Sequence, residues 1–60
     1  MERRYFTVEQ IAEYLGISTA TVYRWTQLRQ IPFLKMGRVL RFDIVAIEKW
    51  VKEFRREVMD

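Results

Sequence analysis

Apolar residues recur three and four positions apart in two short segments near the N-terminus, which is the spacing of an amphipathic helix. These apolar positions are Val8, Ile11, Ala12, Leu15, Ile17, Val22 and Trp25. Gly16 separates the two segments, and a glycine lets the backbone turn sharply between helices. Ala12 is small enough for two helices to cross closely. The pattern therefore predicts a helix-turn-helix over residues 7–29.

Polar residues at the predicted starts of both helices favour this interpretation. Thr7 can accept a hydrogen bond from the backbone N–H of Gln10, whose side chain can bond back to the Thr7 backbone. Ser18 is placed to cap the second helix in a similar way. We therefore expect the first helix to start at Thr7 and the second to run from Thr19 to about Arg29.

Beyond the single proline the spacing becomes strand-like, and residues 33–42 alternate around Gly37. Alternation around a glycine predicts a β-hairpin, which beside a helix-turn-helix is a wing. One possible loop has two residues, Gly37 and Arg38. That register would place Lys35 on the apolar side of the hairpin together with Leu40.

A loop of three residues, 37–39, separates charged from apolar side chains better. It would gather four apolar residues on one face, namely Leu34, Met36, Leu40 and Phe42. Lys35 and Arg41 would then lie on the other face. We favour this register, although it requires the β-branched Val39 to adopt an unusual backbone conformation. A longer loop stays open, and Arg38 lies at the hairpin tip in every case.

A third helix is predicted over residues 43–59, with Asp43 as its cap. Its apolar stripe consists of Ile47, Trp50, Val51, Phe54 and Val58. Because Trp25 and Trp50 both lie on apolar stripes, we expect them to pack in the core rather than stack on bases. Residues 1–60 are thus predicted to form one mainly α domain with a small β-hairpin, three helices plus a two-stranded wing.

Composition narrows the possible functions. Half of the 60 residues are hydrophobic, which suffices for one small packed core. The chain has no cysteine and no histidine, so we expect no disulfide, no metal site and no cofactor. The carboxylates lie on solvated faces and neither glycine belongs to a phosphate-binding loop, so we expect no catalytic residues and no enzyme. Without a membrane-spanning run or signal sequence, the expected location is the cytoplasm.

Charge is distributed unevenly along the chain. The net charge is +3, yet residues 1–13 and residues 43–60 each carry a net charge of −1. No acidic residue occurs in residues 14–42. The charged residues of this acid-free block are Arg24, Arg29, Lys35, Arg38 and Arg41. A block of one sign is typical of a nucleic-acid contact surface.

The outward side of the second helix carries side chains that a recognition helix would place in the DNA major groove. These candidates are Ser18, Thr19, Ala20, Tyr23, Arg24 and Gln27. Ser18 and Thr19 are short and lie near the positive end of the helix, which suits phosphate contacts. Arg24 can pair with guanine and Gln27 with adenine. Tyr23 can contact DNA or pack beside the wing.

Short motifs along residues 5–51 match one known family. The matching stretches are Phe6-Thr7-Val8-Glu9-Gln10-Ile11-Ala12, Leu15-Gly16-Ile17-Ser18, Thr21-Val22-Tyr23-Arg24-Trp25, Ile31-Pro32, Met36-Gly37-Arg38, Arg41-Phe42 and Ile47-x-x-Trp50-Val51. With these motifs the chain resembles the helix-turn-helix of the excisionase and MerR-like superfamily of prokaryotic DNA-binding proteins. Many relatives have a glycine just before the Ile-Pro pair, where this chain has Arg29-Gln30. The resemblance therefore does not predict how the second helix ends.

The resemblance implies sequence-specific binding of double-stranded DNA at the prokaryotic nucleoid. It also implies that the wing follows the DNA backbone or enters the minor groove, which suits Arg38 at the tip with Lys35 and Arg41 beside it. The acids of the first helix, Glu9 and Glu13, would then face away from phosphate. The implied role is either excision in DNA recombination or transcription regulation. A module of this size buries only about 600 to 1,000 Å² on DNA, so further copies on adjacent sites or a recombinase are candidate partners.

Two rival interpretations stay open. The domain could be a protein-interaction module that docks a recombinase, but such a surface exposes apolar residues, and beyond Tyr23 and Phe33 the acid-free block offers few. It could also be the DNA-targeting domain of a larger transposase or terminase-like protein. No heptad repeat follows the third helix, so the sensor role of full MerR-type regulators is not expected.

Overall fold

The computed structural model describes residues 5–55 of the chain. Within this range the elements are β1 (Tyr5–Phe6), α1 (Val8–Leu15), α2 (Thr19–Gln27), β2 (Leu34–Met36), β3 (Val39–Asp43) and α3 (Ile44–Lys52). The helices α1 and α2 form the helix-turn-helix, and the hairpin of β2 and β3 forms the wing. The sheet is antiparallel with the strand order β1-β3-β2.

Local hydrogen bonds at the start of α1 confirm the predicted cap. The Gln10 backbone N–H donates to Thr7 Oγ1 at 3.1 Å, and the Thr7 backbone N–H donates to Gln10 Oε1 at 2.9 Å. Gly16 then ends the helix with φ +71°, a left-handed conformation that glycine adopts without a steric penalty. These contacts lie within a few residues of each other, so the sequence pattern was sufficient to predict them.

The second helix begins as predicted and ends earlier. Ser18 Oγ accepts a hydrogen bond from the Thr21 backbone N–H at 3.1 Å, so Ser18 is the N-cap. The helix ends at Gln27, whereas the prediction extended it to about Arg29. Leu28 is its C-cap, and the chain then turns towards the wing.

The wing has a two-residue loop, Gly37 and Arg38, and the favoured three-residue loop is wrong. Lys35 pairs directly with Leu40 across the hairpin, so both side chains lie on the inner face. Gly37 supplies the positive φ of +64° that the loop needs. Val39 lies within β3, so this β-branched residue keeps an extended backbone.

The register prediction failed because the inner face of the wing is not core along its whole length. Phe42 is fully buried at the base of β3. Lys35 lies nearer the tip, is exposed, and lines an open groove instead of contacting the core. A charged side chain on the inner face therefore stays in water, and the separation of charged from apolar residues did not have to hold there.

The same register turns apolar side chains outward. Arg41 pairs with Leu34, so Arg41 and Lys35 lie on opposite faces and not on one face as predicted. Three exposed apolar residues share the outer face with Arg41, namely Leu34, Met36 and Val39. The acid-free block thus exposes more apolar surface than the sequence indicated.

The strand β1 was not predicted. Its two residues pair with the end of β3, Phe6 opposite Phe42 and Tyr5 opposite Asp43. Two residues are too few to show an alternating pattern, which is the signal by which strands are recognised. Because β1 covers one side of β3, the buried Phe42 lies in the central strand of the sheet.

The core lies between the helix-turn-helix, the base of the wing and α3. Its buried side chains are Val8, Ile11, Ala12, Val22, Ile31, Phe42 and Ile47. Trp25 and Trp50 are half-buried against this cluster, with ring centroids 5.8 Å apart in an edge-to-face arrangement. Their predicted role in packing is confirmed.

Asp43 caps α3 as predicted, since its Oδ1 accepts a hydrogen bond from the Val45 backbone N–H at 3.1 Å. The helix ends at Lys52, short of the predicted end at residue 59. After Lys52 the backbone hydrogen bonds span three residues instead of four, which tightens the chain into a turn. Val58, predicted to extend the apolar stripe, lies outside the described residues.

A polar contact joins α1 to α3. Tyr14 Oη donates a hydrogen bond to Glu48 Oε2 at 3.3 Å, and the Tyr14 ring packs edge-to-face on Phe6 with centroids 6.0 Å apart. Partial removal of the hydroxyl from water raises the pKa of Tyr14 above its usual 10.0, and the charge of Glu48 and this hydrogen bond raise it further. The hydroxyl therefore stays protonated and able to donate throughout the neutral pH range.

The predicted fold class is confirmed, with the addition of β1: the domain is a mainly helical winged helix-turn-helix. No helix among residues 5–55 has the length and apolar character needed to cross a lipid bilayer.

Candidate nucleic-acid interface

An open groove lies between α2, the beginning of α1 and the wing. The wing contributes residues from both of its faces, and the segment connecting α2 to β2 also lines the groove. The residues that line it are Thr7, Val8, Glu9, Tyr23, Thr26, Gln27, Arg29, Phe33, Lys35, Arg38, Val39, Leu40 and Arg41. The groove thus joins the two elements that winged domains present to DNA.

The groove is strongly positive. Its charged lining residues are Arg29, Lys35, Arg38 and Arg41 against the single acid Glu9. Like charges on neighbouring walls raise the local potential and concentrate anions, because the wall between them is a medium of low dielectric constant. The fold therefore brings four cations of the acid-free block to one groove, although Arg41 and Lys35 lie on opposite faces of the wing.

The two acids of α1, both expected to face away from phosphate, differ in their position relative to the groove. Glu9 is exposed in the first turn of α1 and lines the groove beside the wing residues. The reason is tertiary, since α1 packs against β3 of the wing. Glu13 is exposed and does not line the groove.

The predicted recognition residues are all exposed, as a contact surface requires. They are Ser18, Thr19, Ala20, Tyr23, Arg24 and Gln27. Four of them share one side of α2, because residues 23, 24 and 27 follow residue 20 by three, four and seven positions. Tyr23 and Gln27 line the groove, whereas Arg24 lies outside its lining.

Ser18 has a structural task besides any contact it makes. Its hydroxyl lies 3.0 Å from Thr21 Oγ1 and accepts a hydrogen bond from the Thr21 backbone N–H. The side chain is therefore held at the N-terminus of α2 by its own cap. Thr19, which follows it, is exposed in the first turn.

The three cations of the wing differ in solvent exposure and in hydrogen bonding. Arg38 is exposed at the loop, and Lys35 is exposed on the inner face. Arg41 is half-buried, and its Nη1 donates a hydrogen bond of 2.8 Å to the backbone carbonyl of Leu40. Arg38 and Lys35 are thus more accessible to solvent than Arg41, whose guanidinium is hydrogen-bonded to its own strand.

Among the groove residues that were not predicted as contacts, Arg29 and Phe33 form a pair. The Arg29 guanidinium carbon lies 6.0 Å from the centroid of the Phe33 ring, which is within reach of a cation–π interaction. The prediction continued α2 to about Arg29, so it did not place this side chain in a turn beside the groove. The signal that could have found Arg29 was its membership of the acid-free block.

Comparison with protein families supports this description. The model of a family described as a helix-turn-helix domain matches residues 5–55. The chain belongs to this helix-turn-helix family. It is an excisionase-like family, in agreement with the superfamily that the motifs resemble, and its domain is a DNA-binding module. Comparisons with curated proteins and with solved structures give no match.

Proposed function

We propose that this helix-turn-helix domain binds double-stranded DNA sequence-specifically, with α2 in the major groove and the wing against the flanking backbone. The observation that carries the proposal is the groove between α2 and the wing, which is lined by four cations and one acid. Such an arrangement tracks phosphate, because each Lys or Arg that neutralises a phosphate releases a condensed counterion. It is not a catalytic function, and helix-turn-helix DNA-binding domains are generally not enzymes.

We assign different tasks to the exposed side chains of α2. Arg24 and Gln27 are long enough to reach base edges, and their donors match guanine and adenine respectively. Ala20 is small and exposed on the same side of α2, so it permits close approach of the helix to the bases. Ser18 and Thr19 lie at the helix start and contact phosphate. The remaining member of this surface, Tyr23, faces the groove and contacts the sugar-phosphate chain there.

The wing residues contribute affinity more than sequence preference. Arg38 at the tip is the main contact with the backbone or the narrow minor groove, and Lys35 supports it from the inner face. Arg41 adds a fixed positive charge, because its guanidinium is hydrogen-bonded to its own strand.

For the biological role we propose excision in DNA recombination or transcription regulation at the nucleoid of a prokaryotic cell, on the strength of the excisionase-like family. A single domain buries about 600 to 1,000 Å² on DNA, which is small for a specific complex. Further copies on adjacent DNA sites would therefore act together with it.

A second function has support from the outer face of the wing. Leu34 and Met36 expose apolar side chains there, at 39% and 51% of their full accessibility, and both lie outside the lining of the groove, whereas the exposed Val39 on the same face also lines it. Exposed apolar residues that lie together on one face are typical of protein contacts. This face favours docking of a protein partner, either a second copy on DNA or a recombinase, beside the DNA-binding surface.

The test of the proposed function is a fluorescence-anisotropy titration of the protein against random duplex DNA at several salt concentrations. We expect three to four phosphate contacts, which gives a slope of log K against log salt of about −3 and a loss of roughly 40- to 150-fold between 50 and 200 mM salt. Absence of binding at 50 mM salt would contradict the proposal and leave protein docking as the function.

Replacing Arg38 with alanine should weaken the binding of all DNA sequences similarly. Because one phosphate contact is lost, we expect the salt slope to become less steep by about one unit. The matched control is Lys49→Ala, which removes one positive charge from an exposed position of α3. Because Lys49 lies outside the groove, this substitution should leave the slope unchanged. Equal slopes for the wild type and Arg38→Ala would show that the wing tip does not reach phosphate.

A further inference from the structure

The end of α2 contains an unusual backbone conformation. The Gln30 backbone N–H donates to the Trp25 carbonyl at 2.8 Å, and the Arg29 N–H donates to the Thr26 carbonyl at 3.1 Å. These two hydrogen bonds define a Schellman motif, in which the residue after the C-cap adopts a left-handed conformation. Here that residue is Arg29, with φ +57°.

A left-handed arginine is energetically unfavourable. Its β-carbon crowds the neighbouring carbonyl oxygen, a contact that glycine avoids, and glycine is therefore the usual residue at this position. Among residues 5–55, Arg29 is the one non-glycine residue with a positive φ. Gly16 and Gly37 are the glycines with a positive φ in the same range of residues, and each lies in a turn. The chain thus uses glycine at two such positions and arginine at the third.

The side chain of the left-handed Arg29 lies in the groove. The guanidinium lies over the half-buried Phe33 ring, with its central carbon 6.0 Å from the ring centroid. Arg29 is exposed and lines the groove between α2 and the wing together with Lys35 and Arg38. Contact with the Phe33 ring restricts the orientation of the guanidinium, while the Arg29 side chain stays exposed to water.

We infer that Arg29 is a phosphate-contacting residue of the DNA interface, and that its unfavourable backbone conformation is retained because it directs a further cation into the groove. The inference rests on the proposed DNA binding and adds a contact that the surface of α2 alone does not include. A backbone outlier at an exposed, charged position indicates function, because stability alone would favour glycine there. A guanidinium can bind a phosphate through two parallel hydrogen bonds.

The test uses two substitutions that remove the same charge but differ at the β-carbon. Arg29→Gly removes both the charge and the strain, so we expect the melting temperature to rise by about 2 to 8 °C. Arg29→Ala removes the charge and keeps a β-carbon at the same φ, so no such rise is expected. For both variants DNA affinity should fall about three- to tenfold at 100 mM salt, and the salt slope should become less steep by about one unit.

Lys49→Ala is again the matched charge control, and the wild type is measured in the same series. A wild type with salt-dependent binding and an Arg29→Gly variant of equal affinity and slope would overturn the inference while leaving the proposed function intact. A wild type that does not bind DNA at low salt would overturn both. An Arg29→Gly variant that melts at or below the temperature of Arg29→Ala would also contradict the inference, because the conformation would then carry no strain.

Discussion

Replacing Phe42 with alanine is expected to unfold most of the protein at ambient temperature. Phe42 is fully buried in the central strand of the sheet, opposite Phe6. Truncating a buried phenylalanine costs about 3 to 5 kcal/mol, because apolar contacts are lost and a cavity is left. A domain of this size has a free energy of unfolding of about 3 to 5 kcal/mol in total. The substitution therefore removes nearly all of the stability.

Thermal unfolding followed by circular dichroism and tryptophan fluorescence would measure this effect. Trp25 and Trp50 pack against the core, so their emission reports its loss. The matched control is Val39→Ala on the same strand, where the side chain is 42% exposed and we expect a change of no more than about 0.5 kcal/mol. A cooperative transition for Phe42→Ala within a few degrees of the wild type would show that Phe42 is not the centre of the core.

The second large effect is expected for Arg24→Ala. Arg24 is exposed on the side of α2 that carries Ala20, Tyr23 and Gln27, and we propose that it contacts a base edge. A good bidentate contact with a base is worth about 1 to 3 kcal/mol, so affinity for the preferred site should fall by about 5- to 150-fold. The preference at one base pair should also relax, whereas binding to random DNA should change much less.

Site selection with the wild type comes first, and the preferred site and its single-base variants are then titrated with both proteins. Arg38→Ala is an informative comparison here, because it should weaken every site alike. Unchanged base preference in Arg24→Ala would remove Arg24 from the set of residues that read the sequence, even if affinity declined.

The helix-turn-helix was predictable because its signals are local. The capping box of Thr7 and Gln10, the left-handed Gly16 and the cap at Ser18 involve residues no more than four positions apart. Each of these groups has few alternative partners in a short chain, and the apolar spacing of both helices agrees with them. The elements and their order therefore follow from hydrogen-bonding chemistry and periodicity alone.

The wing register was not predictable in the same way. The prediction of a three-residue loop requires the inner face of the hairpin to pack on the core along its full length, so that the charged Lys35 lies on the outer face. In the structure the core ends near Phe42, and the inner face beyond it overhangs the groove. How far along the hairpin its inner face packs on the core depends on the position of the hairpin relative to the helices. An alternating pattern of residues contains no information on that position.

The candidate interface shows the same division. The acid-free block and the outward side of α2 were visible in the sequence, and these named most of the proposed contact residues. The contribution of Glu9 was not visible, and Arg29 was visible only as a charge of that block, because each of them enters the groove through a tertiary arrangement. Glu9 lines the groove because α1 packs against β3, and Arg29 lines it because α2 ends at Gln27 and a left-handed turn follows.

For this protein, then, the sequence by itself determined the helices, their caps, the wing and the sign of the charge on the binding side. Those features depend on interactions between near neighbours and on the balance of residue types. Only the tertiary structure decided which cations share a groove, which acid joins them and which apolar residues of the wing face water. These depend on distances between segments far apart in the chain, and such distances are set by packing around Phe42 and Ile11.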